Sequence, residues 1–187
     1  MARAQSSDFL QNFRFHVRAT LAGGEGNPIG LTRPELGEAG FQSVTIPDVT
    51  FEAAEYREGI YKYTKKFAGP ATFSDVSLMR GVIATDTQFY DWAMRSTQGE
   101  EYRADLEILH FSRADYPTGG GKTENVTLPD TPSRVIKCWE CIPIRGKPTA
   151  DMDATTGEVS MAEMDVALEW FEILGGDGNE LPPLSQP

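Results

Sequence analysis

Apolar and polar residues alternate with period two over most of this chain. In NFRFHVRAT, Phe13, Phe15, Val17 and Ala19 fall on one side and Arg14, His16 and Arg18 on the other, the pattern of a half-buried strand. FQSVTIPDVTF carries Val44, Ile46, Val49 and Phe51, interrupted by Pro47. A proline there predicts a bulge, an edge or a kink between two short strands, because it cannot donate to a sheet ladder. SDVSLMRGVIA, ADLEILHFS and VIKCWECIPI also read as strands.

One segment follows a helical period instead. Thr85 and Gln88 have capping-box spacing, and Asp86 stands where a carboxylate complements a helix N-terminus. Phe89, Trp92, Ala93 and Ser96 then recur on one side, which predicts a short amphipathic helix over Asp86–Thr97. VSMAEMDVALEWFEIL fits both periods. As a strand it sets Ala162, Met164, Val166, Leu168 and Trp170 against Glu163, Asp165 and Glu169; as a helix it has good formers and a glycine stop at Gly175–Gly176. The residues leave that choice open.

The breaks between these segments are AGGEGNPIGLTRPELGEAG (22–40), FAGPATFSD, YPTGGGKTENVTLPDTPS (116–133) and the tail GGDGNELPPLSQP. There is no internal repeat. At 187 residues the chain is long enough for one domain with a substantial core. It contains no apolar run of about 18 residues, the length a membrane helix needs. The start MARAQSSDFLQNF lacks the apolar centre of a signal peptide, so synthesis and assembly in the cytoplasm are expected.

Charge narrows the function. The formal net charge is −11, from 28 acidic and 17 basic residues. Such a surface repels nucleic acid, whose binding rests on Lys and Arg neutralising phosphates, so a DNA-binding regulator is not expected. A wall that DNA must slide past without sticking would suit the sign.

Candidate chemistry is sparse. Cys138 and Cys141 are the two cysteines, spaced C-x-x-C, but dithiol oxidoreductases place that pair at a helix N-terminus, where a thiol pKa falls. Here Val135, Ile136, Trp139, Ile142 and Ile144 surround it, and residues three apart on a strand point to opposite faces. The pair is then expected to diverge, as plain buried packing residues or with one cysteine reaching a neighbouring subunit. A four-ligand zinc site would have to recruit both histidines, His16 and His110, or carboxylates. GGGKT (Gly119–Thr123) lacks the glycine a phosphate loop needs at Tyr116 and has no helix behind it. Asn125-Val126-Thr127 is a glycosylation sequon without a secretion signal, and Asp151-x-Asp153 lacks the other ligands of a calcium loop. No active site, metal or cofactor is expected.

The order of the segments resembles the tail-tube proteins of contractile-tailed phages and related contractile injection systems. The resemblance is carried by the F-x-F strand (Phe13, Phe15), then the strand pair ending Glu55-Tyr56-Arg57-Glu58-Gly59. Arg80-Gly81 follows, then Asp86 opening a helix with Asp91-Trp92, Trp139 followed by Pro143, and a long acidic final segment. Together these cover about residues 12–174; the stretches 22–38 and 116–133 are long for the family.

The resemblance implies a mainly β fold: an antiparallel β-sandwich or half-barrel with one short helix, forming hexameric rings with a continuous inner β-barrel. It implies one tail-tube domain over 1–187, with its core at 12–174, long loops at 22–40 and 116–133, and an irregular tail at 175–187. The final segment, 159–174, becomes a strand on this reading. Rings would stack into a hollow tube that delivers DNA or effectors. The implied partners are further copies of the chain, a sheath outside, a tape measure protein, genomic DNA or effector cargo in the lumen, and baseplate and terminator proteins at the ends. The alternatives are a tube-like baseplate initiator or tube terminator, and, less favoured, a C-x-x-C redox protein. Glu52, Glu55, Glu163, Asp165 and Glu169 become candidates for the lumen wall. Tyr56, Arg57, Glu58, Lys65 and Lys66 become candidates for ring-to-ring contact, and Cys138 or Cys141 for a disulfide between subunits.

Overall fold

A computed structural model describes residues 10, 12–22, 28, 41–60, 62–82, 87–112, 132–152, 155 and 157–176. Thr85 and Asp86 of the expected helix start, the glycine loop Gly119–Thr123, the sequon at Asn125, Asp153, most of 22–40 and 116–133, and the tail beyond 176 lie outside them.

The described residues form nine strands and one helix in chain order: β1 (Phe15–Leu21), β2 (Phe41–Val44), β3 (Val49–Tyr56), β4 (Lys65–Phe73), β5 (Val76–Gly81), α1 (Gln88–Gln98), β6 (Ala104–His110), β7 (Arg134–Lys147), β8 (Met161–Ala167) and β9 (Trp170–Gly175). Seven strands run β1-β6-β7-β8-β5-β2 with β9 also paired to β7, and β3-β4 form a separate ribbon. The described pairings are all antiparallel.

The 14-residue β7 organises the molecule. Its first half lies between β6 and β9; its second half pairs with β8. At the changeover Glu140 takes φ 52°, a left-handed conformation uncommon outside glycine. A bulge of this kind bends a strand and lets it pass from one layer to the next. The result is a sandwich of β1-β6-β7-β9 and β7-β8-β5-β2. Its core takes Val17, Leu106 and Ile108 from the first layer and Val76, Leu78, Ala162, Met164 and Val166 from the second.

The bulge corrects the expectation for the cysteines. Cys138 stands opposite Leu106 and Cys141 opposite Ala104, so the bulge takes up one extra residue on β7. The two side chains therefore share a face instead of diverging, and both are fully buried. The Cys141 thiol is pushed up by its hydrogen bond with Cys138 and by burial, which keeps it neutral and unreactive. Both sulfurs lie inside the core of their own subunit, a geometry that opposes a disulfide between subunits. Assembled material should run as a monomer on a non-reducing denaturing gel, and iodoacetamide at pH 8 should modify both thiols only after unfolding. A dimer ladder would contradict this burial.

Other expectations hold in part. Pro47 does separate two strands, and the ribbon continues across the break through Thr45 N–H to Ser77 O at 2.9 Å and Ser74 N–H to Asp48 O at 3.1 Å. The helix starts two residues later than expected, after Thr87, whose hydroxyl donates to Asp91 Oδ2 at 2.7 Å instead of capping the backbone. It ends at Gly99, φ 74°, a left-handed stop that glycine adopts freely. Phe89 and Trp92 are buried as the period predicts, whereas Ser96 is exposed. Phe13, expected on the buried side of β1, is exposed, and His16, expected on the polar side, is buried.

The segment 159–174 is two strands, not one. Ala162, Met164 and Val166 face the core as the alternation requires. The chain then breaks at Leu168–Glu169, and β9 leaves β8 to pair with the first half of β7. Trp170 consequently sits opposite Trp139 on the outer side instead of continuing the buried row.

Candidate assembly surfaces

The ribbon β3-β4 projects from the sandwich with little apolar cover from its own chain. All eight residues of β3 are exposed, as are most of β4. The exposed set includes Val49, Phe51, Tyr56 and Phe67, and at the tip Ile60 and Tyr63. A two-stranded hairpin is marginal alone, and an exposed apolar surface of this kind marks a site of association. At its root, Phe73 meets Phe171 of β9 edge-on, with centroids 5.7 Å apart. In its middle the register slips between Phe51 and Ala53, at Glu52. There a Cβ on Gly69 would lie 2.5 Å from the Glu52 carbonyl oxygen, so glycine is the residue that fits.

The structure brings the ring-to-ring candidates together on this ribbon. Tyr56 pairs with Lys65 and Glu55 with Lys66, with Lys66 Nζ 3.2 Å from Glu55 Oε1. Arg57 and Glu58 lead into the turn. The ion pair is largely exposed and holds the tip together weakly.

The lumen candidates are split into three groups. Glu163 and Asp165 share the outer face of β8, as the alternation requires. They are joined by Arg145 of β7, whose Nη1 donates to Asp165 Oδ2 and Nη2 to Glu163 Oε2, each at 3.0 Å. Asp165 also accepts from the Ser77 hydroxyl at 2.6 Å; that bond, then Arg145, holds its carboxyl below the usual range. Arg145 was not legible in the sequence as part of this group. Two carboxylates spaced i, i+2 on a strand invite a cross-strand cation, but only the β7–β8 register identifies which one.

Glu169 does not belong with them. It lies in the β8–β9 break and accepts from Arg103 Nη1 at 2.8 Å, which also donates to Glu140 Oε2 at 3.0 Å. This knot ties the start of β6 to the β7 bulge and to the break. Glu52 and Glu55 lie on the projecting ribbon, apart from both groups. Among the described residues no group of three or more His, Cys, Asp or Glu side chains could hold a metal ion. None of their helices is long and apolar enough to cross a membrane.

Comparison with solved structures identifies the fold. A chain of the anti-feeding prophage baseplate, determined by cryo-EM with six-fold symmetry, superposes with TM-score 0.66 at 16% identity, covering 91% of this chain and 98% of that one. A chain of the sheath-tube complex of the PVC extracellular contractile injection system in its extended state gives TM-score 0.66 at 16% identity, covering 91% and 95%. A chain from the structure of the anti-feeding prophage tube-terminating cap gives 0.65 at 17%, covering 94% and 95%. No curated protein matches the sequence. The T4-like virus tail tube protein gp19 family matches over residues 11–172, nearly the whole described fold. The chain belongs to that family, whose members are structural proteins of tail tubes and not enzymes.

Proposed function

We propose that copies of this chain close into six-membered rings that stack as the hollow inner tube of a contractile tail. The observation that carries this reading is the ribbon β3-β4, an exposed apolar arm that a second copy would cover. The sandwich supports it with strand edges at β1, β2 and β9 that the described residues leave open. Exposed edges are an aggregation hazard, and pairing them around a closed ring removes the hazard. The tube is then a rigid conduit within a sheath, with baseplate and terminator proteins at its ends. A tape measure protein fills the lumen first, and genomic DNA or effector cargo passes through it later.

On this reading the outer face of β7-β8-β5-β2 lines the lumen. Glu163 and Asp165 supply its negative charge, reduced but not cancelled by Arg145 between them and by Lys147, which stands opposite Glu163 and pairs with Asp151 at 3.2 Å. A wall with surplus carboxylate repels a polyanion and lets it slide. Tyr56, Arg57, Glu58, Lys65 and Lys66 at the ribbon tip contact the next ring.

Changing Glu163 and Asp165 together to lysine replaces two carboxylates by two further cations beside Arg145 and Lys147. Tubes should still form, because the pairs are partly exposed and individually weak. DNA delivery by particles carrying the double variant should fall at least about tenfold, the effect of about 1.4 kcal/mol of added retention. Intact tubes with unchanged delivery would contradict this placement of the lumen.

A further inference from the structure

The outer face of β1-β6-β7-β9 carries a second surface that the tube reading does not use. Across its four strands the register aligns Arg18, Glu107, Lys137 and Glu172, a row of alternating sign. Lys137 Nζ lies 3.7 Å from Glu107 Oε1 and 3.8 Å from the centroid of the Trp139 ring. Trp139 stacks on Trp170 with centroids 5.5 Å apart and planes at 13°, and its Nε1–H donates to Glu172 Oε1 at 3.1 Å. Trp139 is thus engaged by a cation, a second indole and a carboxylate. Trp170, by contrast, is 44% exposed. It is a large ring held at a fixed angle with open surface.

The charge beside this shelf is acidic. Glu169 precedes Trp170 in the chain, Glu172 lies two residues beyond it on the same strand face, and Glu140 and Asp105 border Trp139 through the bulge, where Asp105 Oδ1 accepts the Glu140 N–H at 3.2 Å. Carboxylates still outnumber cations on this face: Asp105, Glu107, Glu140, Glu169 and Glu172 stand against Arg18, Arg103 and Lys137, with Arg103 paired to Glu140 and Glu169 and Lys137 to Glu107. An indole face attracts a cation, arginine most often in proteins, and surplus carboxylate adds to that attraction while opposing nucleic acid. Within this chain Lys137 over Trp139 already shows the contact chemistry.

We propose that Trp170, backed by Trp139 and flanked by Glu169 and Glu172, is a docking shelf for an arginine-bearing segment of a partner protein. A guanidinium stacks flat on the open indole and its edge meets the carboxylates, a geometry that lysine matches less well.

The test uses the full chain, with ring formation scored by negative-stain microscopy on the same samples, so that failure of the shelf and failure of the tube reading are told apart. Octa-arginine is titrated at about physiological salt and read by tryptophan fluorescence; the third tryptophan, Trp92, is fully buried, so the signal reports the stacked pair. The expected result is saturable quenching, with weaker binding of octa-lysine. Trp170→Ala should lower the affinity about fivefold to tenfold, Trp170→Phe should fall between, and Glu158→Gln, at an exposed carboxylate outside both surfaces, should change nothing. Equal binding by wild type and Trp170→Ala would reduce the contact to general charge attraction and overturn the proposal. So would saturable binding of a neutral oligosaccharide such as chitohexaose in place of the peptide, or rings that bind neither.

Discussion

A chain with Phe51 and Phe67 both changed to aspartate should fold normally and remain a monomer. Both residues are more than half exposed on the ribbon, at 57% and 56%, so neither contributes much to the isolated subunit. Exposed substitutions of this kind stay within about 0.5 kcal/mol of wild-type stability. In an assembled ring each phenylalanine would leave water, a gain of about 1.5–3 kcal/mol apiece. The double change loses both gains and places two carboxylates where apolar contact is needed. Together these weaken each subunit contact by at least about a hundredfold, as roughly 3 kcal/mol converts. Circular dichroism should match wild type, and thermal unfolding should match that of wild type diluted below ring formation, while sedimentation shows the monomer alone. Gly69→Val should act in the same direction by a different route, since its Cβ would meet the Glu52 carbonyl oxygen at 2.5 Å and force the arm out of register. Persistent rings in both variants would remove the arm from the account of assembly.

The opposite pattern is expected inside the sandwich. Trp92 is fully buried against the core, and its Nε1–H donates to the Tyr102 carbonyl at 2.7 Å. Trp92→Ala leaves a large cavity and an orphaned acceptor, at a cost of about 3–5 kcal/mol. For a subunit of ordinary stability, roughly 5–15 kcal/mol, that is a major fraction. The chain should unfold at markedly lower urea concentration, with an unchanged slope. Trp92→Phe should recover part of the loss, because it refills much of the volume without replacing the hydrogen bond. An unaltered urea midpoint in Trp92→Ala would show that the helix is not integral to the core.

The two variants divide what the sequence reveals from what it conceals. Period-two alternation identifies Val17, Leu106, Met164 and their neighbours as the core, and Pro47 identifies the break in the ribbon, because both follow from local geometry. The left-handed Glu140 is not legible, since glutamate carries no preference for that conformation, and it reverses the expected directions of Cys138 and Cys141. The break at Leu168–Glu169 is hidden for a related reason: the alternation runs on unbroken from Ala162 to Trp170, although the chain changes partners. The candidate surfaces divide in the same way. The tip residues Tyr56 and Lys65 come together through a local hairpin, a pairing that sequence neighbourhood can suggest. Arg145 joins Glu163 and Asp165 through a long-range register that no local pattern records, and Glu169 leaves their face because the break brings it to Arg103. The resemblance to tail tubes, drawn from the order of segments, supplied the architecture that no single motif could.

Assembly is the claim on which the rest depends, and electron microscopy of the purified full chain tests it most directly. At high concentration the account expects rings of six copies, or stacked tubes with an open centre, in which the β3-β4 arm of each subunit lies against its neighbour. A strict monomer across the concentration range, or rings whose contacts leave Phe51 and Phe67 in solvent, would contradict it.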